Sequence, residues 1–228
     1  MNDVNIAIDG VLNISSNLSV AGDVTNSGAI SGGTISLIGS SDQIIQGGAS
    51  IVDNLTIDKS SGNVLLNTPW TVTETLKMIE GNILNESSLL TIGASSSDHG
   101  SIEYTDGFIT GSLRRYFPNT SSSKFFPIGN GTVIRDFSLD FSSSPGLNQY
   151  ITASYKNGIP QDAGSDLYNG LPLITSDNKV IQNYSEEGYW EINPTDNNYE
   201  SSINNTSYEI SLHMNNIANY KPITYKVT

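Results

Sequence analysis

Short apolar units recur through the first hundred residues of the chain. Each unit reads aliphatic–x–aliphatic, and three of them lead through a short link to a Gly–Asp or Gly–Asn pair, at Gly22, Gly62 and Gly81. The units begin about 14 to 21 residues apart, at Leu18, Ile35, Leu55, Leu76 and Leu90. Repeats of this length built from strand-like units predict a parallel β-solenoid, with one coil per repeat. An ordinary antiparallel β-sandwich with chance repeats is the alternative.

The aromatic residues divide the chain at about residue 103. All 11 tyrosines and all 6 phenylalanines lie beyond that point, and Trp70 is the only aromatic residue before it. Because equivalent side chains of successive coils stack, a solenoid interior favours small branched aliphatics, whereas a wide sandwich core needs rings. Gly and Asn suit the corners of coils since both tolerate positive φ. Trp70 follows Pro69, and we expect it to break the stack, cap a face or lie at a corner.

Beyond Ser101 the pattern changes. Apolar and polar residues alternate strictly in Phe137–Phe141 and Tyr208–Leu212, which is typical of a sheet with one solvated face. Turn sequences separate the strand-like runs, and no segment shows a helical apolar period. We therefore predict an all-β chain in two domains, a parallel β-solenoid over residues 1–105 followed by an antiparallel β-sandwich over residues 106–228.

The chain is acidic, with 10 basic and 23 acidic side chains and a net charge of −13. A nucleic-acid-binding face needs a cluster of Lys and Arg, and Arg114-Arg115 is the only candidate, so we predict no nucleic-acid partner. The absence of cysteine excludes disulfides and thiolate metal sites. No run of 18 apolar residues exists, so no membrane span is expected. The first residues lack the pattern of a signal peptide and both ends are strand-like, so we expect an excised piece of a longer protein.

All three arginines lie in the least random block of the sequence, residues 107–139. Arg114, Arg115 and Arg135, with Asp136, are predicted to form a structural junction between the solenoid and the sandwich. Arginine among aromatic residues can pair with carboxylates, stack on rings or bind a ligand carboxylate. Besides Asp136, Asp106 and Asp140 are candidate carboxylate partners.

Carboxylates in loops are candidate ligands for Ca²⁺, which prefers oxygen ligands. They are Asp162, Asp166 and Asp196, and none has the spacing of an EF-hand or of a nonapeptide repeat. We expect no other cofactor. The acids of the repeats are scattered, and His99 and His213 lack a nucleophile context, so we predict no enzymatic activity.

Exposed rings on a strand would suit a carbohydrate-binding module. Tyr189 and Trp190 are the candidate glycan platform, and this module is the alternative to a structural role. An ice-binding solenoid would need a regular array of threonines, and the threonines here are irregularly placed.

Several segments resemble large surface proteins of Bacteroidota that are exported by the type IX secretion system. They are the Gly-rich repeats in 54–66 and 71–93, GFITGSLRRYFP at 107–118, FFPIG at 125–129 and GYWEINP at 188–194. Family members often place Tyr-Arg-Pro after the PIG turn, and Ile134-Arg135-Asp136 departs from that pattern. The resemblance implies an adhesin-like or gliding-associated protein at the bacterial cell surface, and no catalytic residues.

These observations predict a non-catalytic structural or adhesive module of a large bacterial surface protein, acting as a stiff stalk or an attachment segment. Its expected partners are neighbouring domains of the same polypeptide, and surface glycans or the secretion and motility machinery.

Overall fold

The computed structural model describes residues 2–145, 149–158, 173–174, 180–181, 187–195, 208–213 and 223–227. Every regular element in these residues is a β-strand. The strands are β1 Val4–Ile6, β2 Val11–Asn13, β3 Asn17–Val20, β4 Val24–Asn26, β5 Ala29–Ser31, β6 Thr34–Gly39, β7 Gln43–Gly47, β8 Ser50–Leu66, β9 Trp70–Ile92, β10 Ser101–Tyr104, β11 Ile109–Phe117, β12 Ser122–Phe126, β13 Phe137–Phe141, β14 Gln149–Asn157, β15 Leu173–Ile174, β16 Val180–Ile181, β17 Gly188–Pro194, β18 Tyr208–Leu212 and β19 Ile223–Val227. None of the described residues forms a helix that could cross a membrane.

The first part of the chain coils into a parallel β-solenoid of about five turns with three faces. One face joins β1, β4, β7, the end of β8, residues 82–85 of β9 and the start of β11 in parallel pairs. A second face carries β2 paired with β5, the start of β8 paired with the start of β9, and the end of β9 paired with residues 112–115 of β11. The third joins β3, β6, the middle of β8, the middle of β9 and β10. The long strands β8 and β9 therefore each run around the corners of one coil.

Repeat positions from the sequence fall in register on the third face. Leu18 pairs with Ile35, Ile35 with Leu55, and Leu55 with Leu76, so four of the five predicted starts are confirmed. The next residue in this ladder is Ile102 rather than Leu90. Leu90 lies on the second face and pairs with Leu113, so the assignment of Leu90 to the same repeat position was wrong.

Small aliphatic side chains fill the solenoid, as stacking requires. Ile35, Leu55 and Leu76 are all buried. Trp70 is also buried, at the start of β9, where it pairs in register with Ser50 of the coil before. The ring therefore lies inside the stack rather than capping it, beside a small neighbour that leaves room for it.

One corner of each coil is built from glycine and a side-chain acceptor. Gly62 and Gly81 have φ of +71° and +102° at this corner, the left-handed region that glycine adopts freely. A side-chain oxygen of one coil accepts a hydrogen bond from a backbone amide of the next coil. The Asn63 amide donates to Asp42 Oδ1 at 2.7 Å, and the Phe108 amide donates to Asn82 Oδ1 at 3.1 Å. At Gly81–Asn82 the pair thus supplies both the turn and the hydrogen bond that joins neighbouring coils, whereas at Gly62–Asn63 the acceptor is Asp42 of the coil before.

Strand β11 belongs to both parts of the chain. Ile109–Arg115 pair in parallel with β9, and Leu113–Phe117 pair antiparallel with β14, which in turn pairs with β17. The parallel ladder runs past residue 105, so the predicted division between 105 and 106 falls within the last coil. Where the chain divides into domains stays a prediction.

A second antiparallel sheet, ordered β12-β13-β18-β19, packs against this extension. The Phe117 ring of β11 lies 6.4 Å from that of Phe126 and 5.4 Å from that of Phe141, centroid to centroid, so the two sheets face each other across aromatic rings. The predicted fold class, an all-β parallel solenoid followed by an antiparallel β-sandwich, is confirmed.

Candidate functional site

Arg114 lies on β11 at the point where the solenoid sheet meets β14. Its Nε donates to Thr91 Oγ1 of the last coil at 3.1 Å, and its guanidinium lies 4.7 Å from the centroid of the Tyr150 ring on β14. Because the side chain contacts a strand on each side of β11, it bridges the two parts of the sheet.

Arg115, the next residue, is buried. Its Nη1 donates to the carbonyl of Phe125 at 2.7 Å, and its Nη2 donates to the carbonyl of Gly100 at 3.4 Å. Burial lowers the pKa of its guanidinium. Lys124 Nζ donates to the same Gly100 carbonyl at 3.2 Å, and burial and the charge of Arg115 lower the pKa of Lys124 to about 8. These cations join β11 and β12 to the loop that precedes β10.

Arg135 and Asp136 connect the start of β13 to two other strands. The buried Arg135 forms an ion pair with Glu187 at 2.8 Å, just before β17. The Asp136 carboxylate contacts His213 Nδ1 at 2.8 Å, and its carbonyl accepts the His213 amide at 3.0 Å, just after β18. Neither partner was expected from the sequence, because each lies far along the chain.

The candidate glycan platform lies on β17. Trp190 is half-buried, its indole N–H donates to the Arg135 carbonyl at 2.7 Å, and its ring meets that of Tyr155 edge-on at 5.2 Å. Tyr189 is half-buried beside it and pairs in register with Lys156. Trp190 thus packs against the sandwich core through Tyr155, and glycan stacking on this pair stays a prediction.

The candidate calcium ligands Asp162, Asp166 and Asp196 lie outside the described residues. Within the part of the chain that the structure describes, no group of three or more His, Asp or Glu side chains is placed to hold a metal ion.

A polar cleft of about 250 Å³ opens where the last coil meets the sandwich. It lies between residue 86 of β9, the start of β11, the turn at residue 130 and the end of β14. Its wall includes Glu86, Thr110, Gly111, Asn130, Tyr155 and Lys156. Sequence reasoning missed this cleft, because its residues come from four distant segments and none of them forms a recognisable motif.

Comparisons of the chain with models of protein families, with curated proteins and with solved structures find no match in any of the three.

Proposed function

We propose that this chain is a non-catalytic structural and adhesive module of a large bacterial cell-surface protein, acting as a stiff stalk or a surface-attachment segment. The observation that carries the proposal is the shared strand β11, which joins the solenoid ladder to the antiparallel sheet without a linker. A flexible tether between two domains would allow them to reorient, whereas a shared strand keeps their relative orientation fixed.

The use of polar side chains along the solenoid supports a structural role. Asp23 Oδ1 accepts the amide of Ile44 at 2.8 Å, and Asn54 donates to Glu74 on the neighbouring coil at 3.0 Å. Such side chains connect coil to coil, as expected in a stack whose stability depends on contacts between neighbouring repeats.

Placement at the cell surface rests on the segments that resemble type IX secretion substrates of Bacteroidota. Neighbouring domains of the same polypeptide would then be the main partners, with surface glycans or the secretion and motility machinery as further ones. An acidic chain without cysteine suits an exposed, solvated position.

Immunolabelling of the source cells tests the surface assignment. Antibodies raised against the purified chain should label intact cells, and external protease should remove that label while a cytosolic control protein survives. Labelling that requires permeabilised cells would contradict the proposal.

A further inference from the structure

Two Asn-Gly dipeptides of the described chain lie in different surroundings. Asn130-Gly131 lies in the turn between β12 and β13, and Asn157-Gly158 lies at the end of β14. A third, Asn169-Gly170, lies outside the described residues. In such a dipeptide the glycine nitrogen can attack the neighbouring side-chain amide carbon, because the two groups are held together by the chain and glycine has no Cβ to obstruct the approach. The hydrogen bonds around each dipeptide then decide how readily it reacts.

The side-chain oxygen of Asn130 accepts three hydrogen bonds. They come from the Thr132 amide at 3.1 Å, the Thr132 hydroxyl at 3.0 Å and the Val133 amide at 2.9 Å. Attack on the amide carbon places negative charge on this oxygen, and donors at about 2.7–3.1 Å stabilise an oxyanion of that kind. The turn therefore stabilises the intermediate of an attack on the Asn130 side chain.

The attacking and leaving nitrogens at this position are not held by hydrogen bonds. The Gly131 amide donates to no described group, and a Cβ on Gly131 would meet nothing within 4 Å. Asn130 Nδ2 likewise has no acceptor among the described residues. Ring closure and departure of Nδ2 therefore break no hydrogen bond within this part of the structure.

Asn157-Gly158 has the opposite arrangement. The Gly158 amide donates to the Glu187 carbonyl at 3.1 Å, so this nitrogen must lose a hydrogen bond before it can attack. No described group donates to the side-chain oxygen of Asn157. The second dipeptide thus has the same chemistry as the first without the features that promote it.

We propose that Asn130 is a site of spontaneous modification, at which the Gly131 nitrogen forms a bond to Asn130 Cγ and Nδ2 leaves as ammonia. The proton of the Gly131 amide passes through solvent to the departing nitrogen. Water then opens the cyclic imide and yields aspartate or isoaspartate. The product carries a new negative charge beside the cleft that Glu86 also lines. This inference goes beyond the structural role proposed above and does not depend on it, because the reaction needs only the folded turn and water.

Peptide mapping by mass spectrometry during incubation of the folded chain at mildly alkaline pH tests the proposal. Asn130 should convert to aspartate and isoaspartate at least about tenfold faster than Asn157, the factor that one hydrogen bond on the attacking nitrogen can account for. In guanidinium chloride the chain is unfolded and both dipeptides lose their surroundings, so this difference should disappear.

Two substitutions of Thr132, an exposed residue, isolate the role of the three donors. Thr132→Val removes the hydroxyl and keeps the branched shape, so the rate at Asn130 should fall about fivefold, as expected for one lost hydrogen bond. Thr132→Ser keeps the hydroxyl and should leave the rate unchanged. The rate at Asn157 is the internal control, because it rises to the unfolded value only in a variant that fails to fold.

Equal rates at Asn130 and Asn157 in the folded chain would overturn the proposal. A slower reaction of Asn130 in the folded than in the unfolded chain would overturn it as well, because the turn would then protect the residue. The same holds if folded Thr132→Val reacts as fast as Thr132→Ser. Since the first two comparisons use the unaltered chain, they decide the matter even where a variant does not fold.

Discussion

At the scale of single residues, the corner glycines bring the backbones of neighbouring coils into contact. Gly107 has φ of +90°, and a Cβ there would lie 2.0 Å from the carbonyl oxygen of Gly81. We expect Gly107→Ala to lower the free energy of unfolding by about 4 kcal/mol, since the last coil must separate from the one before. Urea unfolding followed by circular dichroism measures the change.

Gly131 provides the matched control for this substitution. Its φ is +95°, but a Cβ there would meet nothing within 4 Å. Gly131→Ala should therefore cost only the left-handed conformation, about 1–2 kcal/mol. Equal losses in the two variants would show that close contact between coils is not what requires glycine at 107.

Lys124 gives the stability a distinct pH dependence. Its pKa is about 8 in the folded chain against a usual value of 10.5, so between these values the unfolded chain binds a proton that the folded chain does not. The contribution of Lys124 to the free energy of unfolding therefore rises as the pH increases from about 8 to 10.5. Below pH 8 the amine is charged in both states, and the penalty for burying that charge lowers the stability of the folded chain in full.

The Lys124→Met variant isolates that contribution, because other groups titrate in both proteins. Urea unfolding from pH 7 to 10.5 should show the wild type gaining stability relative to the variant as pH rises. A difference that is constant across this range, or that changes in the opposite direction, would show that the Lys124 amine is not buried beside Arg115.

Candidate site residues of a type that is rare in this chain could be identified from the sequence. Residues that only strand pairing brings together could not. The three arginines and Trp190 attract attention because Arg and Trp are among the rarest residue types in the chain. Thr110 and Tyr155 carry no such signal, because only the pairing of β11 with β9 and β14 brings them to one cleft.

At the scale of elements, strand β8 separates core from surface by alternation. Ile57 is fully buried in the solenoid, whereas Ile51 on the same strand is 60 % exposed. Ile57→Ala should lower the free energy of unfolding by about 2–5 kcal/mol through lost burial and the cavity left behind. Ile51→Ala, the same chemical change, should alter it by no more than about 0.5 kcal/mol.

Chemical denaturation of the two variants under identical conditions measures this difference. Similar losses at both positions would mean that Ile51 is covered in solution or that the register of β8 differs. A different register would be incompatible with the solenoid pairing described above, whereas a covered Ile51 would show that this face makes a contact in solution.

The sequence predicted the elements well where repeats keep their length. Units beginning at Leu18, Ile35, Leu55 and Leu76 occupy equivalent positions because each coil has nearly the same number of residues. The last coil contains an extra loop, closed by a hydrogen bond of 2.8 Å from the Ala94 amide to the Asp98 carbonyl. This insertion shifts the next equivalent position to Ile102, and no pattern in the sequence shows that Leu90 belongs to another face.

At the scale of the whole molecule, the change of core from aliphatic to aromatic does not coincide with a break in the sheet. The tyrosines and phenylalanines begin with Tyr104, yet parallel pairing continues through β11 to Arg115. Composition could predict two kinds of packing. It could not predict a shared strand, because the pairing of β11 with β14 depends on residues far apart in sequence.

Measurement of electron–electron distances between two spin labels shows whether the solenoid and the sandwich form one rigid module. The chain has no cysteine, so spin labels can be placed at Asn5→Cys on β1 and Asp140→Cys on β13, two exposed positions on opposite sides of the joint. A second pair, Asn5→Cys and Ser87→Cys, lies within the solenoid as a control. We predict one narrow distance distribution for the pair across the joint, as narrow as that of the control, whereas a broad or multiple distribution for that pair alone would contradict a rigid module.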